Sequence, residues 1–401
     1  VFEYQNHGAD GYKNIKGTGN NTDSGFDKQT DLTKLRYTPS NSAWNQTFEI
    51  MSSNTSETSN ETYIGLTSPD FDADPFQRYG ASSVDQMDND YHRYIFTHTM
   101  QPSSNMTITS KLYKTRYSRL WGKSGEMVVD EDGVANGTDQ VTVKYSAIDM
   151  QGNCNTDSGA ELRACNILTN DTAMIDGEYI KQSMGHRDYG MTGVSFVINH
   201  DMGNHALEYG YRRHKDYRSR HDKSFYQKWT KNAAGTMSLL ANGTVRGANT
   251  TTDGELKDID ARSLHLKDVI SAGAFTHTVG IRSERTEANE GTNATPGSVA
   301  RDLTNTETMV AFSTIYNMGS GATMFAGFSE GYSPVDAGKY DSDINPEKSD
   351  IYEIGYRKQT NNSYFELVAF YNDYSQLIDS CLEANGCASA DSGSTTNKGA
   401  A

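Results

Sequence analysis

The stretch from Asn345 to Ile378, NPEKSDIYEIGYRKQTNNSYFELVAFYNDYSQLI, limits the fold more than any other part of the chain. It reads as two strands joined by a tight polar turn. In the first, Tyr352, Ile354 and Tyr356 share one face, and Glu353, Gly355 and Arg357 share the other. In the second, Phe365, Leu367, Ala369 and Tyr371 alternate with Tyr364, Glu366, Val368 and Phe370. Side chains cross from face to face of a strand with period two. Aromatic-rich, apolar-out and polar-in alternation is the pattern of a hairpin in a transmembrane β-barrel.

Composition is compatible with that reading. Only 35% of the 401 residues are hydrophobic, and no apolar run approaches the roughly 20 residues of a membrane-crossing helix. A barrel keeps a polar lumen and long polar loops, so a mean hydropathy of −0.72 does not argue against one. Tyrosine is the commonest aromatic at 24 residues, and its wet hydroxyl on an apolar ring suits a membrane interface. The net charge of −16 excludes the basic footprint of a nucleic-acid binder. Four cysteines form two local pairs, Cys154 with Cys165 and Cys381 with Cys387. Both pairs lie in polar loop sequence. Local disulfides are the favoured reading, and they imply an extracytoplasmic setting.

Strand-like segments recur near 1–7, 11–17, 31–38, 45–54, 91–100, 105–117, 190–200, 204–214, 234–242, 261–268, 272–284, 307–317, 322–330, 350–358 and 363–374. The connections Asp201 to Asn204 and Asn317 to Gly321 are short and rich in small residues, as on the periplasmic side of a barrel. Long connections are expected on the other side, at about 55–90, 119–188, 214–233, 285–306, 331–349 and 375–401. The chain starts with Val inside strand-like sequence and ends in a Ser/Thr/Gly-rich stretch. It therefore reads as an internal fragment of a longer precursor.

The segments PEKSDIYEIGYR and YFELVAFYNDYSQLI, around Glu347 and Tyr352 to Tyr374, resemble the TonB-dependent outer-membrane receptor family. Three further segments resemble its ferric dicitrate receptor-like branch: Glu61 to Asp88, His205 to Arg220 and Phe325 to Gly338. CLEANGC, Cys381 to Cys387, also resembles that branch. The resemblance implies an all-β, 22-stranded antiparallel barrel, of which residues 1–401 are a part lacking the N-terminal plug and the last strands. It implies uptake of a ferric chelate, most simply ferric citrate or a carboxylate siderophore, across the outer membrane of a Gram-negative bacterium. Energy would come from the TonB-ExbB-ExbD complex through the missing N-terminal region. The other partners would be membrane lipid and lipopolysaccharide. Iron would arrive as cargo inside its chelate, with no resident cofactor.

The sharpest local feature is Arg212 to Lys231, with eight Lys/Arg and two His against two Asp. An anionic chelate rich in carboxylates is matched by guanidinium forks better than by apolar walls. Arg212, Arg213, His214, Arg218 and Arg220 are therefore the first candidate ligand cradle, with Arg212, His214 and Arg218 on the lumen parity. The bland reading of the same run is a rim touching lipopolysaccharide phosphates, or ordinary barrel-wall ion pairs. Arg78, His92 and Arg93 beside one long loop, and Arg116 and Arg119 at the mouth of another, are further candidates. For these the plain reading is a strand-end charge in a lumen network.

There is no HExxH, no Cys/His cluster with metal-ligand spacing, no GxSxG and no P-loop in the sequence. Binding rather than catalysis is thus the expected activity. The rival readings are a TonB-dependent receptor for another siderophore or nutrient, a passive porin or adhesin barrel, and a secreted β-rich binding protein.

Overall fold

The computed structural model describes residues 1–17, 22–41, 43–135, 139–169, 172–231, 237–239, 255–292, 295–335, 345–380 and 395–398. Thirteen strands form one antiparallel meander: β1 (Phe2–Ala9), β2 (Phe26–Tyr37), β3 (Thr47–Asn60), β4 (Gln86–Ser103), β5 (Met106–Asp130), β6 (Tyr179–Met202), β7 (His205–Gln227), β8 (Glu255–Ala272), β9 (Phe275–Thr292), β10 (Thr295–Gly319), β11 (Ala322–Ser333), β12 (Glu347–Gln359) and β13 (Tyr364–Ser375). Each pairs with its chain neighbours, and a short strand, Gln140–Lys144, adds to the top of β5. Among the described residues β1 and β13 are the two edges of this sheet.

The connections on one side are tight. Residues 203–204 join β6 to β7 and residues 273–274 join β8 to β9, with Gly203 and Gly273 each at φ 64. That backbone suits glycine because no Cβ meets the following carbonyl. A membrane crossing takes about 9–11 residues of tilted strand. β5 has 25 residues and β6 has 24, so their upper halves stand clear of the lipid.

Period two sorts the two faces. Leu112, Phe196, Leu264, Leu266, Ile281, Phe312, Ile354 and Leu367 lie on the outer face, all exposed. The register pairs such residues row by row: Phe196 with Tyr211, Tyr211 with Leu264, and Leu266 with Ile281. The inner face carries polar networks. Glu208 accepts from Lys267 Nζ at 3.1 Å and lies 3.1 Å from His265 Nε2. Arg357 donates to Glu366 at 2.6 Å.

The expected loops are shorter than their polarity suggested. The connection at 55–90 contracts to 61–85, and that at 119–188 to 131–178. The 214–233 stretch is strand as far as Gln227, and 285–306 is occupied mostly by β9 and β10. Above the membrane both faces of a strand are wet, so alternation of apolar residues fades while the backbone ladder continues. The segment 11–17 supplies only Asn14–Ile15, a parallel bridge to Gln77–Arg78. From 234–242 only Met237–Leu239 is described as strand, paired with Trp229–Lys231. Residues 336–344 of the 331–349 connection lie outside the described residues, as do 381–394, which contain Cys381 and Cys387.

The two long connections 61–85 and 131–178 fold together into a cap with its own core. Ile64, Tyr79 and Val84 from the first pack with Val143, Ile148 and Leu168 from the second, and with Met127, Val129 and Ile180 at the strand tops. Helix α1 (Ser68–Ala73) is capped by Thr67, whose Oγ1 accepts from Asp70 N–H. Helix α2 (Gly159–Thr169) buries Ala160, Ala164, Cys165, Ile167 and Leu168, an apolar stripe at helical spacing. A disulfide between Cys154 and Cys165 ties its leading loop to its middle, with Cα atoms 6.2 Å apart.

Beneath α2 the fully buried Glu178 is held by a fork. Arg163 donates Nε at 2.9 Å and Nη2 at 2.7 Å, and Ile175 N–H adds a third bond at 2.9 Å. Removing one partner of a buried pair strands the other charge, at a cost of about 3–5 kcal/mol. Arg163→Ala should therefore unlock the cap, seen as lost hydrogen-exchange protection across residues 159–180. Gel mobility of the unheated barrel should stay that of the parent. Unchanged protection would mean that the fork contributes little to the cap.

Candidate functional site

The ladder brings three arginines side by side on three neighbouring strands. Asn89 pairs with Arg119, Arg119 with Arg187, Arg187 with Arg220, and Arg220 with Glu255. All lie on the inner face. Arg220 is fifteen residues beyond His205, the first residue of β7, so the row lies above the membrane at the mouth of the lumen. One step lower the register aligns Tyr91, Tyr117, Tyr189, Arg218 and Lys257. The rings of Tyr117 and Tyr189 stack at 5.7 Å. Lower again on β4 is Arg93.

Few carboxylates balance these cations. Asp222 accepts from Arg187 Nη1 at 3.1 Å and Arg220 Nε at 2.7 Å. Glu255 is shared by Arg220 at 3.3 Å, Arg218, and Lys257 at 3.6 Å. Arg93, Arg119 and Lys123 form no ion pair among the described residues, and the buried Nε atoms of Arg93, Arg119 and Arg218 have no hydrogen-bond partner there. Such donors carry an unmet desolvation cost that an anionic guest would offset.

One step above Arg119 on the same face, Trp121 forms an aromatic shelf. Arg119 lies 4.8 Å from its ring and Lys123 Nζ lies 3.2 Å from it. Tyr63 of the cap stacks obliquely at 5.9 Å and accepts the Trp121 indole N–H. Burial lowers the Lys123 ammonium below its ordinary pKa, and the neighbouring Arg119 and Arg187 lower it further. Burial does the same to the Arg187 guanidinium. Both effects mark a place where positive charge is crowded and would be relieved by an anion.

The ten candidate cations separate by parity and height. Arg119 and Arg220 join the row, with Arg218 one step below and Arg93 lower again. Arg212 and His214 are on the same face but lower; Arg212 Nε donates to Tyr113 Oη at 2.8 Å. Arg213, His92 and Arg116 point outward, because each is one residue out of phase with the lumen set. Arg213 makes a bidentate pair with Asp260 at 3.1 and 2.7 Å, His92 bonds Asn54 at 2.7 Å, and Arg116 lies 3.7 Å from Asp188. Arg78 donates to the carbonyls of Pro75, at 2.9 Å, and Gln77, so it shapes the 61–85 connection. Arg187, Lys123, Trp121 and Tyr63 are additional members. Continuing the period-two count down from Tyr189 to Arg187, and up from Arg119 to Lys123, would have found three of them. Among the described residues, Cys154, Asp157 and Cys165 have metal-ligand spacing, but both sulfurs are in the disulfide.

Comparison with known proteins bears on what such a mouth belongs to. The model of the TonB dependent receptor-like β-barrel family matches residues 16–401. The chain belongs to this family. No curated protein matches it in sequence. Among solved structures it is similar to the ferric citrate transporter FecA, with 17% identity and a TM-score of 0.59 over 89% of this chain and 44% of that one. It is also similar to the siderophore receptor PiuA from Acinetobacter baumannii, with 10% identity and a TM-score of 0.62 over 100% and 55%. The copper transporter OprC is similar at 9% identity and a TM-score of 0.59 over 99% and 51%. At these identities the likeness is one of fold. The chain spans about half the length of these structures. All three are transporters or receptors by description, and this is a family of outer-membrane receptors rather than enzymes. No described helix is long and apolar enough to cross a membrane.

In this receptor barrel the cap meets the site through Asp85, which is fully buried. Its carboxylate accepts from Ser124 N–H at 2.5 Å and Tyr63 N–H at 3.2 Å. Burial pushes it up to about 7, against the lowering effect of those two bonds; Glu61 raises it and Lys123 lowers it. A carboxyl raised in the folded state stabilises the fold below its unfolded pKa, and that contribution fades as pH rises through the folded value. The junction of Tyr63 with Ser124 should thus be firmest near pH 4 and loosen toward pH 8. Hydrogen exchange across 61–85 should follow that trend in the wild type and flatten in Asp85→Asn. An equally steep dependence in the variant would assign the titration to another group.

Proposed function

We propose that this receptor barrel captures an anionic ferric chelate, ferric citrate or a carboxylate siderophore, for TonB-dependent import across the outer membrane of a Gram-negative bacterium. The carrying observation is the row Arg119, Arg187 and Arg220, flanked by Lys123 and Arg218, whose ion-pair partners among the described residues are Asp222 and Glu255. The chelator supplies the iron ligands. The barrel supplies guanidinium forks that meet the chelator's outer carboxylates two oxygens at a time. Because the mouth is partly desolvated, each contact exceeds its value in bulk water. The Trp121 shelf and Tyr63 of the cap close one side. Import itself would draw on the TonB-ExbB-ExbD complex, through a plug rearrangement beneath the captured cargo.

One observation favours a second cargo. The aligned Tyr91, Tyr117 and Tyr189 would suit the flat rings of an aromatic ferric chelate.

The test uses the full-length receptor with labelled ferric citrate, a ferric catecholate and a neutral ferric hydroxamate. Replacing Arg119, Arg187 and Arg220 together by Ala removes charged hydrogen bonds of about 1.5–3 kcal/mol each. Affinity for ferric citrate should fall by about 100-fold or more, since about 1.4 kcal/mol is a factor of ten. Added salt should weaken the parent and leave the variant nearly unchanged. Ferric citrate binding that survives the triple substitution would overturn the reading. Preferential binding of the catecholate would move the assignment to the tyrosine row.

A further inference from the structure

A cluster of ligating side chains faces outward, directly behind the arginine row. His186 on β6 and His221 on β7 are register partners. Their ring centres are 6.0 Å apart and their planes are inclined by 42°. Asp188, the next outward residue on β6, brings Oδ2 to 3.5 Å from His186 Nε2. The cluster is hidden from sequence spacing, because His186 and His221 are far apart in the chain and the ladder joins them. Side chains alternate between faces along a strand. The inward Arg187 therefore lies between His186 and Asp188, and the inward Arg220 directly precedes His221.

These separations suit metal ligands. Zinc bonds of about 2.0–2.2 Å put two ligand atoms of one tetrahedral ion about 3.3 Å apart, and two ligating imidazole ring centres about 5 Å apart. His186 and Asp188 already stand near the first distance, and a small rotation of the partly exposed imidazoles closes the second. Ser219 Oγ, 3.0 Å from His221 Nε2, orients that ring, as a second partner does for a ligating imidazole. Ser118 Oγ, 3.3 Å from His186 Nε2, is placed to receive a metal-bound water. Asp188 Oδ1 is buried and has no hydrogen-bond partner among the described residues. Arg116 approaches it to 3.7 Å, on a side chain that is 63% exposed. Of the other charged groups on this face, Asp88 and Asp90 of β4 favour a bound cation, and Lys223, one step above His221, opposes it. His221 is sixteen residues beyond His205, and His186 is sixteen before Met202. A crossing takes about 9–11 residues, so the cluster stands beyond the hydrocarbon and is open to ions of the external medium.

We propose that His186, Asp188 and His221 bind a divalent transition-metal ion of the zinc type, on the wall behind the lumen and separate from any cargo inside it. Two imidazoles and one carboxylate take three positions, and water takes the fourth. Imidazole donors select such an ion against calcium and magnesium, which take oxygen ligands. The bound ion bridges β6 and β7 from outside. It thereby fixes the backbone at the two points that present Arg187 and Arg220 to the lumen, and so braces the arginine row from behind. The site itself does not depend on what the lumen captures.

The test uses untagged, detergent-purified full-length receptor, stripped with a chelator and titrated calorimetrically with Zn²⁺ and, in parallel, with Ca²⁺. The parent should bind Zn²⁺ at least tenfold more tightly than Ca²⁺. His186→Ala with His221→Ala should weaken Zn²⁺ at least tenfold, and so should Asp188→Asn, which keeps the size of the side chain. His98→Ala, an outward histidine near the other end of the barrel wall, should bind as the parent does. Zn²⁺ should slow amide hydrogen exchange at least tenfold across residues 185–189 and 219–222 in the parent, and leave the double variant unchanged. Every variant should keep the heat-modifiable gel mobility of the folded barrel. Absence of Zn²⁺ binding in the parent, affinity within twofold of the parent in the double variant, an equal loss in His98→Ala, or equal binding of the two ions overturns the proposal. Exchange in the parent that Zn²⁺ leaves unaltered overturns the brace.

Discussion

The antiparallel hydrogen-bond ladder is the constraint on which everything else in this protein depends. Each interior strand pairs with the strands before and after it, so one residue's phase fixes the face of its partners on both sides. That is why Arg119, Arg187 and Arg220 meet, although β5, β6 and β7 are separated by a 48-residue connection and a turn (131–178 and 203–204). It is also why Arg213, one residue from Arg212, turns outward to Asp260 instead. A slip of one residue anywhere in the ladder would exchange the two populations and place guanidinium groups against hydrocarbon.

What could be read from the chain follows from where that ladder is visible in side chains. Within the membrane the outer face must be apolar, so the hairpin at 345–378 and the runs at Val194, Phe196 and Ile198 announce themselves. Above the membrane neither face is obliged to be apolar, and the same ladder continues through Arg218, Arg220 and Asp222 without that mark. The basic run therefore looked like a loop. The chelate site was legible only in part for a related reason. Its members were present as residues of the right charge, but their adjacency is a property of register, which no single strand contains. Trp121 and Tyr63 add a further difficulty: one is on a strand and the other on a connection that reaches it only after folding over the strand tops.

The cap illustrates a different limit. Helix α2 is short and sits within a long polar stretch, where the disulfide pairing of Cys154 and Cys165 was the clearest signal. Its core is assembled from two connections that are far apart in sequence, with Val84 and Tyr79 from one completing a surface that Leu168 and Ile167 from the other cannot bury alone. The buried Glu178 and Arg163 then specify how the pieces dock. Electrostatics at the two levels differ in kind. The fork under α2 is a closed pair with its bonds satisfied, whereas the row at the lumen mouth is an open excess of positive charge.

That the cap has an interior of its own bears on the thermodynamics of capture. A floppy loop that folds over a guest gives up backbone freedom of about 1–2 kcal/mol for every residue it orders. Here Met127, Val129, Ile148 and Ile180 are already packed, and a disulfide already limits the chain leading to α2. The cap is already seated at the mouth, because its interior is shared with the tops of β5 and β6. Most of the attraction between cations and cargo then remains available as affinity, instead of being consumed in organising the lid.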